Sequence, residues 1–120
     1  MKRDRWLQCA IVCGNVADVQ LSIAVGANVN ASWTTSFGWP PLHQAAECGN
    51  VEIVRILIAT GAVVNATIFG GWTPLLRAAL YGHMAVAEVL LGAGANPHAR
   101  TSKGWTVLSF ADWGATGLGD

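Results

Sequence analysis

The side chains best suited to chemistry in this chain of 120 residues are three histidines, His43, His83 and His98, and three cysteines, Cys13 and Cys48 among them. Imidazole and thiolate together suit zinc, and His43 with Cys13 and Cys48 supplies the right atom types. A zinc site draws its four ligands from close-set pairs, which these three residues do not form, so no metal is expected. A serine nucleophile would sit in a Gly-x-Ser-x-Gly turn and a phosphate cradle in a glycine-rich loop opening a helix; the sequence has neither. The reading is a non-enzymatic chain without a cofactor. An odd number of cysteines is no disulfide framework, and a reducing compartment, cytoplasm or nucleus, fits free thiols better.

What remains as a source of specificity is aromatic. The chain carries 6 Trp, 1 Tyr and 3 Phe against 7 Lys+Arg and 7 Asp+Glu. Formal neutrality argues against nucleic acid, which needs clustered positive charge, and against a polybasic membrane patch. It also leaves little repulsion between copies, which favours self-association. No run approaches the roughly 20 apolar residues of a membrane span. The start, Met1 to Val12, imitates a short signal peptide, but Gln8 interrupts it and polar residues follow,.

The elements that must position these residues recur. Gly38-Trp39-Pro40-Pro41-Leu42-His43-Gln44-Ala45-Ala46 is followed by Gly49-Asn50-Val51-Glu52-Ile53-Val54 and Gly61-Ala62-Val63-Val64-Asn65-Ala66. Downstream the same order returns as Gly71-Trp72-Thr73-Pro74-Leu75, Ala78-Ala79, Gly82-His83 and Gly94-Ala95-Asn96. Thirty-three positions separate Gly49 from Gly82 and Gly61 from Gly94. Pro41 and Pro74 suit the first turn of a helix, where the missing N–H has no partner anyway. Thr73 is a good N-cap and Pro40 cannot be one. Gly49, Gly82, Gly61 and Gly94 are placed to end helices in the left-handed conformation. Val51, Val54, Leu57 and Ile58, then Val86, Val89 and Leu90, keep helical spacing for a buried face.

Period and motifs resemble the ankyrin repeat, and 33 residues is the length of that unit. The resemblance implies an all-α ankyrin repeat solenoid, stacked helix-turn-helix units joined by hairpin-like turns. It divides 1–120, taken as a single domain, into repeats of approximately 4–37, 38–70 and 71–103 and a C-terminal half repeat at 104–120. The first repeat matches from Gly14 and Gly26 onward, with its first helix over about Asp4 to Cys13 and two extra residues in the connection from Ser32 to Phe37. Ser22 replaces the usual leucine of a second helix. That predicts weaker packing there, or a hydroxyl bonded back to the helix.

For single residues, the resemblance makes His43 a ligand of backbone in neighbouring turns and His83 a loop stabiliser. Asn30 and Asn65 tie one turn to the next, and His98 stands where a third asparagine would. Partners of such repeats meet the turn tips and the inner face of the first helices. Carried over, those places give Trp33, Trp39, Glu47, Ile68, Phe69, Trp72, Leu80, Tyr81, Arg100, Trp105 and Trp113, with Lys103 beside them.

Two readings of the indoles stand together. Trp39, Trp72 and Trp105 stack from turn to turn, or they form a contact patch with Phe69, Leu80 and Tyr81. Glu47, Arg77 and Arg100 either orient a partner or are solvated surface. The leading expectation is a protein–protein interaction module for a protein or peptide partner. The alternatives are a self-associating or structural repeat fragment, including an excised or engineered piece, and a substrate for asparaginyl hydroxylation at Asn65 or Asn30.

Overall fold

Among the described residues six short helices alternate with turns set by glycine and by N-capping side chains. The computed structural model describes residues 2–30 and 40–107, with side chains for 5–30 and 40–107. In chain order the helices are α1 (Lys2–Cys13), α2 (Val16–Ala24), α3 (Pro41–Cys48), α4 (Val51–Ala59), α5 (Pro74–Leu80) and α6 (Met84–Gly92). The first helix begins at Lys2, two residues ahead of the expected start.

Asn15 and Asn50 open α2 and α4 by accepting the amides of Asp18 and Ile53 at 3.0 and 3.1 Å. Thr73 opens α5 by accepting the Leu76 amide at 3.2 Å, whereas Pro40 contributes no side-chain cap to α3. His83 occupies the corresponding place before α6 and does not cap it. Its ring is used elsewhere.

Each helix buries one stripe. Leu7, Ile11, Val19, Leu42, Ile53, Val54, Leu57, Leu75, Val86 and Leu90 join one continuous apolar cluster, with Val51, Ile58 and Val89 partly buried against it. Ala45, Ala46 and Ala78 are fully enclosed where first helices meet, while Ala79 is only half-buried. Without side-chain bulk at these positions, neighbouring first helices approach closely and exclude water from the leucines around them. Ser22 is buried within this face, and its hydroxyl donates to the Val19 carbonyl at 3.0 Å. Of the two outcomes expected for it, the bond back to the helix is the one found. The stack is elongated, 44 × 24 × 24 Å.

The turns carry the remaining order. Ile68 and Trp72 pair as a single antiparallel bridge, with the Ile68 amide donating to the Trp72 carbonyl at 3.0 Å. A second turn of the same form closes between Thr101 and Trp105 at 2.9 Å. The Ser102 amide donates to the Gly70 carbonyl at 2.7 Å and joins the two hairpins side by side. Gly71 lies under that junction with φ +79, and a Cβ there would come 3.1 Å from the Arg100 carbonyl oxygen. Side-chain amides fasten the other ends of the turns. Asn30 donates to the Gly61 carbonyl and accepts the Val63 amide; Asn65 does the same with Gly94 and Asn96.

Candidate functional site

The site is built where α3 meets α5. Glu47, in the last turn of α3, and Arg77, in the middle of α5, bring carboxylate and guanidinium to 2.9 Å. Arg77 also donates to the Tyr81 hydroxyl, one turn further along, at 3.3 Å. Its guanidinium carbon lies 5.2 Å from the Trp72 ring centre and 5.3 Å from that of Tyr81. An arginine enclosed by two aromatic rings and a carboxylate keeps one orientation, because ring quadrupoles and the ion pair hold it in the same place. Arg77 is buried and Glu47 is half-buried. The reading of these two residues as solvated surface is therefore corrected: their charges are taken up within the fold. Arg100 is exposed.

Glu47 has a second attachment. Its backbone carbonyl, left without a helical partner at the end of α3, lies 2.9 Å from His83 Nε2,. The His83 ring stacks on Tyr81, with centroids 6.4 Å apart and planes 23° from parallel. Gly49 makes room for this. A Cβ on it would fall 2.6 Å from the His83 ring, and its φ of +80 already favours glycine,. The histidine thus gives up the capping role and cross-links one helix pair to the next, as a loop stabiliser would.

Along the turns, the Trp72 and Trp105 rings meet edge to face, with centroids 6.4 Å apart and planes at 89°. Around them aromatic surface is open: Phe69 in the hairpin is 100% exposed, Trp105 40%, and Tyr81, at the end of α5, 49%. Ile68 and Leu80 are half-buried, Ile68 with its backbone in the hairpin bridge. Trp33, Trp39 and Trp113 lie outside the described residues, as does most of the half repeat expected at 104–120. The structure accordingly brings Glu47, Trp72 and Tyr81 together around Arg77, with Trp105 against Trp72. It sets Phe69 at the rim and Arg100 on the next turn.

His43 lies beneath this surface. It is fully enclosed, and Nε2 is 3.0 Å from the Trp72 carbonyl. Burial lowers its pKa from 6.5 to about 4; the bond to the Trp72 carbonyl and the nearby Ala66 backbone oppose that shift, and the Arg77 charge adds to it,. The imidazole is thus a neutral post supporting the hairpin. Cys9, Cys13 and Cys48 are exposed free thiols. No group of three or more His, Cys, Asp or Glu side chains among the described residues comes together as a metal would require. Asn30 and Asn65 are exposed, but both ends of each amide are bonded to backbone.

Helix pairs in one row, hairpins along one edge and amide links between successive turns define a repeat protein. The family model for ankyrin repeats, in three copies, matches residues 6–101. The chain belongs to the ankyrin repeat family, whose members are generally protein–protein interaction modules and typically not enzymes. A search of curated proteins returned no match to the chain. No helix among the described residues is long and apolar enough to cross a membrane.

Proposed function

We propose that this chain is a non-enzymatic interaction module that binds a protein or extended peptide along the aromatic edge formed by Phe69, Trp72, Tyr81 and Trp105. The observation that carries this reading is the packing of Arg77. Glu47, Trp72 and Tyr81 fix its guanidinium from three sides, and that arrangement holds the indole and the phenol in position before anything binds. A surface ordered in advance loses little side-chain entropy on association. Trp, Tyr and Arg are also the side chains most enriched where interfaces concentrate their binding energy. The repeats themselves are taken as approximately 4–37, 38–70 and 71–103.

The test is affinity capture with the wild-type chain and with Phe69→Ala and Tyr81→Ala. Both substituted side chains are exposed, and circular dichroism first establishes that the variants remain folded. The reading requires a partner retained by the wild type and lost, or at least tenfold depleted, with the variants. Equal capture by all three would refute it.

A further inference from the structure

Charge on the described surface is distributed unevenly, and the distribution bears on what the aromatic edge selects. The exposed carboxylates are Glu52 on α4 and Glu88 on α6, both on second helices. Glu47, which lies on the aromatic side, is already bonded to Arg77. From residue 89 to residue 107 the sequence holds no Asp or Glu, and within that stretch Arg100 and Lys103 are both exposed. Neither pairs with a carboxylate among the described residues; the one ion pair there is that of Arg77 with Glu47.

The turn that carries these two cations adjoins the aromatic edge. The backbone bond from Ser102 to Gly70 brings the hairpin carrying Lys103 beside the one carrying Phe69. The Arg100 carbonyl lies over Gly71, next to Trp72. A fully exposed phenyl ring and a part-exposed indole, Trp105, thus lie on the same pair of adjoining turns as two exposed cations that have no carboxylate partner among the described residues.

On these grounds, and resting on the interaction reading above, we infer that the partner segment is an acidic extended peptide. One apolar or aromatic residue meets Phe69 and Trp105, and one or two carboxylates nearby meet Arg100 and Lys103. Charge complementarity of this kind fixes register and excludes basic segments more than it adds affinity. Two cations in a chain of zero formal net charge match one or two carboxylates. They are too few to hold a nucleic acid strand, whose binding grows with each phosphate neutralised.

A library of random 12-residue peptides displayed on phage and selected on the immobilised chain tests this. Enriched sequences are then measured by fluorescence polarisation on the wild type, on Arg100→Glu with Lys103→Glu, and on Phe69→Ala. The expected result is enrichment of Asp or Glu within a few positions of an aromatic or branched apolar residue. Affinity should fall about tenfold in the double charge reversal, as two exposed ion pairs allow, and fall also with added salt. Peptides that need Phe69 but show no acidic preference, and bind the charge-reversed chain equally well, would overturn the inference and leave the interaction module standing. No enrichment at all would remove both. Tighter binding of a 12-nucleotide oligouridylate or of phosphatidylserine vesicles than of any selected peptide would assign the two cations to phosphate instead.

Discussion

Acid should weaken this fold through His43 before it acts on most carboxylates. In the folded chain the ring is enclosed and stays neutral down to about pH 4, while in the unfolded chain it takes up a proton near 6.5. A base whose pKa is depressed by folding contributes its full stability above the unfolded value. Below 6.5 the unfolded state binds a proton that the folded state refuses, so stability declines as the pH falls towards 4. The decline is about 1.4 kcal/mol per pH unit across that window, or about 2 kcal/mol at pH 5 and about 3 kcal/mol by pH 4. Urea unfolding followed by circular dichroism at pH 7.5 and pH 5 measures the total loss, and His43→Gln isolates the histidine's share. Glutamine keeps an N–H for the Trp72 carbonyl but does not titrate, so the wild type should lose about 2 kcal/mol more than the variant between the two pH values. Proton NMR of the wild-type ring supplies a readout that needs no variant, with an expected midpoint near 4. A midpoint near 6.5, or equal acid losses in the two proteins, would refute the argument.

Three further outcomes follow from contacts around the same junction. Gly49→Ala should cost about 1–3 kcal/mol in thermal or urea unfolding, part from the positive φ and part from the collision with His83; His83→Ala in the same chain should restore the second part, and strict additivity would contradict it. Glu47→Ala should destabilise by about 2 kcal/mol, because it leaves the buried Arg77 charge without its carboxylate, and a loss below about 0.5 kcal/mol would show that water serves Arg77 equally well. Asn65→Ala should cost about 1–2 kcal/mol by releasing both the Gly94 carbonyl and the Asn96 amide, with hydrogen exchange accelerated at Asn96 as the local signature.

Much of the fold could be read from the chain alone, because its signals are local and repeat. Gly49, Gly61, Gly82 and Gly94 each mark a helix end through a backbone conformation that other residues avoid. Thr73 marks a helix start, and the apolar spacing of α4 and α6 gives their buried faces. The centre of the site was less legible. Glu47 and Arg77 stand thirty positions apart, one helical turn short of the repeat length, so a comparison of equivalent positions aligns Arg77 with Gln44 and Glu47 with Leu80. Only the lateral placement of α5 against α3 turns two separate charges into a pair. The displacement of His83 from helix cap to cross-link depends in the same way on a gap above Gly49 that no single residue announces. By contrast, the forward reach of Asn30 and Asn65 follows from the family resemblance and is found in the structure.

The side-chain bonds between successive helix pairs reach between 29 and 36 residues along the chain, about one unit. Order is therefore conveyed only from neighbour to neighbour, as in a zipper whose teeth engage the next tooth alone. The pair α3 and α4 is clasped from both sides, so it should hold its amide hydrogens longest, while the outer pairs open and reclose without dissolving the middle. Loosening of this molecule is then a matter of how many teeth are engaged at a given moment.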